Sequence, residues 1–298
     1  MEAYSSDFSL KSVSVVKNNA NLVHGREKCF RICGRSCSQI SMSASEKAKK
    51  FFSRMYRFKQ MDFEYALWQM VNIFSSPQKL YRNFSYHNAT GNQWARDDPA
   101  FLILLLPWIV VSSIAISAII GHTFFQWFKL LMWSVFIDCI ASGLVVCTFL
   151  WILSNRWMVR KDPSNWLARR SRRFSAASDD SSDDGSQLVP LDVEWAYAFD
   201  IHLNAYFPCI VLLRVLQLPF LVLIRRKSLL ACLLGNSFWL AAALFYTYIT
   251  FLGYKALPFL KNTRALLFTG TIFVVFYVIT VMLHWNLTAG LYHFYATI

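Results

Sequence analysis

Phe101-Leu-Ile-Leu-Leu-Leu-Pro-Trp-Ile-Val-Val-Ser-Ser-Ile-Ala-Ile-Ser-Ala-Ile-Ile-Gly121 is an uncharged apolar run of 21 residues. At about 1.5 Å per residue, a helix of this length covers the roughly 30 Å hydrocarbon of a bilayer. Backbone amides left unpaired in lipid are too costly for an irregular chain, so the run reads as a spanning helix. Asp97, Asp98 and Pro99 precede it, an acidic cap followed by a proline where an opening turn tolerates one. Four comparable stretches follow, giving spans at about 101–121, 130–153, 201–224, 229–252 and 266–286. The expected fold class is all-α: a polytopic membrane protein with five transmembrane helices.

Composition agrees. Of the 298 residues, 56% are hydrophobic and only 16% charged, against about 25% charged in a soluble domain. The 17% of Phe, Trp and Tyr suits interfacial belts. The first 30 residues hold no apolar core with a small-residue cleavage site, so the first span is expected to direct insertion itself.

The formal charge of +13 is sorted by position. Fifteen Lys and Arg precede the first span, seven lie from Arg156 to Arg173, and Lys255, Lys261 and Arg264 lie between spans four and five. The alternate loops hold Lys129 and the triplet Arg225-Arg226-Lys227. Basic residues accumulate on the cytoplasmic side of a membrane protein, which places the N-terminus in the cytoplasm and the C-terminus in the lumen. The triplet is the exception. A re-entrant third span, interrupted by Pro208 and Pro219 and carrying Arg214, would remove it and leave four crossings. Asn83-Phe-Ser85 and Asn88-Ala-Thr90 are glycosylation sequons, usable only in the opposite orientation.

Residues 1–43 lack periodicity and read as a disordered cytoplasmic tail. In it Cys29, Cys33 and Cys37 recur every fourth residue, with only His24 nearby as a fourth metal ligand. Unpaired thiols are the plain reading; zinc binding and reversible acylation are alternatives. Residues 44–98 form a membrane-proximal cytoplasmic segment that turns helical at Ser45. Phe51, Met55 and Phe58, then Phe63, Leu67, Met70 and Phe74, fall at spacings of three and four until Pro77. Lys47, Lys49, Lys50, Arg54 and Arg57 make it a basic amphipathic helix, suited to anionic lipids of the cytoplasmic leaflet. Packing of the stripe on the bundle is the compatible alternative. As a nucleic-acid footprint the stretch lacks a recognisable RNA module, so RNA is not expected as a partner.

The five-helix domain, 99–290, is expected to contain a disordered insert at about 164–188 and to leave 291–298 as a short lumenal tail. In the insert Arg169, Arg170, Arg172 and Arg173 precede Ser175, and Ser178 and Ser181 sit among aspartates. These are candidate phosphorylation sites, against the alternative of a solvated linker. Ionisable groups in spans are costly and mark function or fastening. Asp138, Arg214 and Asn236 fall at similar depth in spans two, three and four, and so form a candidate polar cluster. Fastening of helices is the favoured role. Its signature is that Asp138→Ala and Arg214→Ala each lower folded yield and a charge-swapped double mutant recovers it. His87, His122, His202, His284 and His293 are scattered, and no phosphate loop or nucleophile motif is present, so neither catalysis nor a cofactor is expected.

Five ordered motifs carry a resemblance. They are Met61-Asp-Phe-Glu-Tyr-Ala-Leu-Trp-Gln-Met70, Ser76-Pro-Gln-Lys-Leu-Tyr-Arg-Asn-Phe84, Gln93-Trp-Ala-Arg-Asp-Asp-Pro-Ala-Phe101, Asp192-Val-Glu-Trp-Ala-Tyr-Ala-Phe-Asp-Ile-His-Leu-Asn-Ala205 and Thr250-Phe-Leu-Gly-Tyr-Lys-Ala-Leu-Pro-Phe-Leu-Lys-Asn-Thr263. From about Arg57 to Gly290 the chain resembles the Golgi membrane family called uncoordinated-fifty. The resemblance implies a five-span Golgi protein with a cytoplasmic N-terminus, acting in vesicular traffic. It also implies two partners: an Arf guanine-nucleotide exchange factor, and receptor cargo such as nicotinic acetylcholine receptor subunits. RNA binding, too, has been attributed to the family. The cysteine-bearing tail, the 164–188 insert and Arg214 depart from the family pattern.

The surfaces expected to meet a cytosolic partner are the Trp68–Asp98 segment and the Tyr254–Lys261 loop, which combine aromatic anchors with basic residues. Arg82, Arg96, Asp97, Tyr254 and Lys261 are the candidate contacts. Trp68, Tyr81, Trp94 and Trp195 serve equally well as belt residues that hold depth. A small-solute transporter built around Asp138 and Arg214 is the rival function; an odd span number, no visible repeat and short lumenal loops oppose it.

Overall fold

The computed structural model describes residues 61–90, 99–159 and 192–297, together with Ser53. Its regular elements are helices: α1 (Phe63–Ser75), α2 (Pro77–Thr90), α3 (Ala100–Ile120), α4 (Phe124–Met158), α5 (Trp195–Ile224), α6 (Leu229–Lys255), α7 (Thr263–Met282) and α8 (Leu287–Thr297). Helices α3 to α7 are each long and apolar enough to cross a membrane, so the chain is an all-α multi-pass membrane protein. An isolated antiparallel bridge joins Val159 to Leu260.

Local chemistry sets the helix ends. Asp62 caps α1 by accepting from the Tyr65 N–H at 3.0 Å, and Pro77 opens α2 where its missing N–H costs nothing. Gly121 closes α3 in the left-handed region at φ 87°, which favours glycine. The Thr123 N–H donates to Gln126 Oε1 at 2.9 Å to start α4, and Ser228 Oγ accepts from the Ala231 N–H at 3.2 Å to start α6.

The spanning helices overrun the apolar cores that define them in sequence. Helix α4 has 35 residues and α5 has 30, so at about 1.5 Å per residue both exceed the hydrocarbon thickness by several turns. Helix α5 passes through both prolines without turning back. Pro208 lacks the N–H its helix would use, and the backbone widens into a π-helical segment at Val211–Leu216. Pro219 lies in a 3₁₀ segment, Leu218–Phe220. The third span therefore runs as one helix to Ile224, and re-entry belongs to a different element.

That element is α8. Asn286 Nδ2 donates to the Ile224 carbonyl at 2.8 Å, Thr288 Oγ1 accepts from Gln217 Nε2 at 2.7 Å, and Tyr295 Oη reaches Arg214 at 2.9 Å. Each step along α8 meets an earlier residue of α5, so the helix enters at the Ile120 end of the bundle and climbs back to mid-depth. Positions 291–298, expected as a tail, thus belong largely to a packed half-helix with Tyr292 and Tyr295 buried.

Helix α1 is a second departure. Its buried residues are Ala66, Gln69, Met70 and Ile73; of the apolar stripe read in the sequence, Leu67 faces outward and Phe74 is part-exposed, its ring against Phe207 and Phe245. Small Ala66 allows close approach, and Gln69 Nε2 donates to Asn204 Oδ1 of α5 at 3.0 Å, which fixes the helix's rotation. The predicted basic helix is also interrupted at Met61 and Asp62, ahead of α1. Apolar packing falls into three clusters: one of α1, α3, α5 and α6, one around Tyr197, Tyr254 and Phe259, and one joining α3, α4, α5 and α8 through Ile116, Leu130, Leu221 and Tyr292.

Candidate functional site

Two widened helical segments face each other in the middle of the bundle. Asp138 lies in the π-helical segment Ser134–Ala141 of α4, and Arg214 in the π-helical segment Val211–Leu216 of α5. Such bulges turn side chains off the ordinary helical register, and they concentrate at functional sites. Arg214 Nη2 is ion-paired and hydrogen-bonded to Asp138 Oδ2. Its Nη1 donates to Ser134 Oγ at 2.8 Å, and Nη2 donates to Tyr295 Oη at 2.9 Å. Tyr295 in turn donates to Asp138 Oδ2 at 3.0 Å, closing a triangle, and the guanidinium carbon lies 5.7 Å from the Tyr295 ring centroid. The Arg214 side chain is 10% exposed and that of Asp138 24%. An isolated charge in lipid would be expensive; here each formal charge faces its opposite, and neutral hydroxyls take up further hydrogen bonds.

The network joins three elements, α4, α5 and α8. Sequence reasoning placed Asp138 and Arg214 and missed the other two members. Ser134 had a usable signal, because it precedes Asp138 by about one turn. Tyr295 had none, since its helix is too short to register as a span.

Asn236 belongs elsewhere. Its amide Nδ2 donates to Thr280 Oγ1 at 3.1 Å and to the Trp285 carbonyl at 2.9 Å, and its Oδ1 accepts from the Leu287 N–H at 3.0 Å. Those bonds tie α6 to the α7–α8 turn, where His284 has φ 53°. A single cluster of Asp138, Arg214 and Asn236 is thus replaced by two networks. Asn236 bonds at the foot of α8, about two turns before Tyr295, so it lies nearer the Ile120 end than the Asp138–Arg214 pair.

The Tyr254–Lys261 loop is likewise not an aromatic docking surface. Tyr254, Leu257 and Phe259 are buried, and Tyr197 Oη donates to the Gly253 carbonyl at 2.8 Å beneath them. The loop is pulled inward because Lys261 N–H donates to the Met158 carbonyl at 2.7 Å, beside the Val159–Leu260 bridge. Tyr254 is therefore a core residue, and Lys261 remains exposed. Arg82 is exposed on α2. Arg96 and Asp97, the membrane-surface candidates Lys47, Lys49, Lys50, Arg54 and Arg57, the phosphorylation candidates Ser175, Ser178 and Ser181, and Cys29, Cys33 and Cys37 lie outside the described residues. Among the described residues no group of three His, Cys, Asp or Glu could hold a metal ion.

Exposed cations ring the Ala100 end of the bundle: Lys79 and Arg82 on α2, Arg156 on α4, and Lys255, Lys261 and Arg264 about the α6–α7 turn. Lys129 and Arg225–Lys227 are exposed at the Ile120 end.

The family model described as the UNC-50 family matches residues 51–296. Protein unc-50 homolog B of Xenopus laevis is 44% identical over 254 residues, covering 85% of this chain and 88% of the relative. Protein unc-50 homolog of Homo sapiens has the same identity and coverage. Protein unc-50 homolog of Drosophila melanogaster is 40% identical over 255 residues, covering 85% of this chain and 83% of the relative. No solved structure matches the chain significantly.

Proposed function

The chain belongs to the UNC-50 family, and from that premise we propose that it is a non-enzymatic Golgi membrane protein of vesicular traffic. In this reading it recruits or positions an Arf guanine-nucleotide exchange factor on the cytoplasmic face and supports cell-surface delivery of receptors such as nicotinic acetylcholine receptor subunits. The observation that carries it is the ring of exposed cations at the Ala100 end, Lys79, Arg82, Arg156, Lys255, Lys261 and Arg264. Basic residues near span ends favour the cytoplasmic side, which gives that end the cytosol to face. Arg82 and Lys261 are its accessible partner contacts among the described residues, and Arg96 and Asp97 extend the same chain segment. RNA binding has no module to support it.

Co-purification from Golgi membranes tests the proposal. Recovery of an Arf exchange factor that falls on Arg82→Glu or Lys261→Glu, and is retained on Arg226→Glu at the opposite end, supports it. An exchange factor absent from the purified protein, or recovered equally with all three variants, overturns it.

A second reading, small-solute transport, is favoured by one specific observation: the π-helical segments around Asp138 and Arg214 and the half-helix α8 meet at one depth. Transporter sites are built at such helix interruptions. Solute flux in liposomes containing the pure protein separates the two readings.

A further inference from the structure

Helix α1 carries an apolar face that the bundle does not cover. Leu67 and Val71 are 52% and 66% exposed, Ser75 continues their stripe at the next i+4 position, and Phe74 lies beside it, 39% exposed. The opposite face, through Ala66, Met70 and Ile73, is fully engaged with the bundle.

The helix's direction relative to the membrane follows from its neighbours on α5. Tyr65 shares a pocket wall with Tyr197 and Asp200. Gln69 is bonded to Asn204. The Phe74 ring lies 5.7 Å from that of Phe207. Moving from Tyr65 to Phe74 therefore follows α5 from its first turn toward its middle, inward from the Ala100 end. Phe207 also meets Phe101 and Trp108 at 6.2 and 5.7 Å between ring centroids. Those two residues occupy the opening turns of α3, whose 21 residues match the hydrocarbon thickness. The end of α1 thus stands level with the first turns of α3, inside the hydrocarbon. Trp108 on α3, 38% exposed, continues the apolar surface beside it, and Phe245 of α6 lies 5.7 Å from the Phe74 ring between centroids. Helix α2 then turns back, with Gln78 held by Tyr248 Oη at 2.8 Å and with Lys79 and Arg82 exposed.

We infer that α1 dips end-on into the leaflet at the Ala100 end of the bundle, with Val71 and Phe74 among the acyl chains and Leu67 nearer the headgroups. The occupant of its outer face is lipid, continuous with the lipid already bathing α3 and α6. A helix lying flat at the interface, the arrangement expected from its amphipathic pattern, would hold Leu67, Val71 and Ser75 at one depth. A dipping helix spreads them over about 12 Å along its axis. The inference rests on packing geometry and is independent of the proposed function and of which compartment faces the Ala100 end.

The test places single cysteines at Leu67, Val71 and Ser75 in the full chain. Cys29, Cys33 and Cys37 are changed to Ser, and a protein with no added cysteine serves as the labelling blank. Each is labelled with an environment-sensitive fluorophore and reconstituted in phosphatidylcholine vesicles. Val145→Cys on α4, at a site 70% exposed, sets the lipid limit, and Lys261→Cys the aqueous limit. The expected result is that quenching by aqueous iodide falls severalfold in the order 67, 71, 75, while quenching by doxyl-labelled lipid rises in the same order. Equal quenching at all three positions overturns the inference in favour of a flat helix. Iodide quenching at the Lys261 level throughout overturns it in favour of water, and shielding from both quenchers in favour of a protein cover.

Discussion

Replacing Arg214 by Met removes the donors to Ser134, Asp138 and Tyr295 together. Asp138 is then left as a carboxylate with Tyr295 Oη as its retained donor. Breaking one side of a buried ion pair costs about 3–5 kcal/mol, because the survivor stays desolvated. With the Asp138 side chain 24% exposed, the lower end, about 3 kcal/mol, is expected for Arg214→Met and for Asp138→Leu. The double variant leaves no charge behind. Its cost is that of Tyr295 and Ser134 hydroxyls short of partners, about 1–3 kcal/mol in total. The two single losses thus exceed the double loss by roughly 3–5 kcal/mol, far above the roughly 0.5 kcal/mol within which independent sites add. Steric-trap unfolding of the reconstituted protein measures all corners of this cycle. Tyr295→Phe, which spares the pair, should lose about 1–2 kcal/mol. The charge-swapped double variant should recover folding only in part, since Ser134 and Tyr295 are placed for a guanidinium on α5. An additive cycle, or single variants within 1 kcal/mol of wild type, would refute the reasoning that this pair fastens α4 to α5.

Four further outcomes follow from the packing. A Cβ on Gly143 would stand 2.9 Å from His202 Nε2, and one on Gly253 2.8 Å from Ile201 Cγ1; each Gly→Ala change should cost about 1–3 kcal/mol, measured by the same unfolding assay, and be relieved by His202→Ala or Ile201→Ala respectively. Asn236→Leu strips partners from the Leu287 N–H and the Trp285 carbonyl, so limited proteolysis should cut faster at the α7–α8 turn while the α1–α2 region keeps its wild-type rate. Tyr254→Ala should lower folded yield by the roughly 3–5 kcal/mol of an emptied aromatic site, whereas Lys261→Ala should leave yield unchanged. A glycosidase-sensitive mobility shift requiring Asn83 or Asn88 would reverse the orientation proposed for the Ala100 end.

The spanning helices were legible in the sequence, whereas the depth of single residues and their direction around the helix axis were less so. Counting apolar residues located the five spanning helices, because lipid imposes a length. It also set Asp138 opposite Arg214, because charges in lipid need partners. The same counting put Asn236 at their level and so misassigned it, since α4 begins at Phe124, ahead of its apolar core, which sets Asp138 deeper than Asn236, whose partners are Trp285 and Leu287 at the foot of α8. Tyr254 was misread for a related reason: Lys255 and Lys261 suggested a solvated loop, yet Gly253 brings α5 close and the ring turns inward. Helix α4 runs past its apolar core at both ends, through Gln126 and Lys129 at one and Asn155 and Arg156 at the other, polar residues that a count of apolar residues leaves out. Helix α8, with 11 residues, fell below any length signal. Its place is fixed by Asn286, Thr288 and Tyr295, three polar contacts that mean nothing until α5 is beside them.

The buried polar groups also bear on which function the bundle can serve. Three sets of them lie in separate layers and join elements. Gln69, Asn204 and Tyr81 tie α1 and α2 to α5. Ser134, Asp138, Arg214 and Tyr295 tie α4, α5 and α8. Gln217, Thr288 and Trp239 tie α5, α8 and α6. A solute approaching Arg214 would have to displace Tyr295 or Ser134, or compete with Asp138. Each of these already makes a charge-assisted bond, of the kind roughly twice as strong as a neutral one. Transport through this site therefore requires α8 to leave it, while fastening requires α8 to stay. The stability of the α8 contacts under turnover conditions is thus the quantity on which the two readings divide, and the hydrogen bonds already made favour a fixed scaffold.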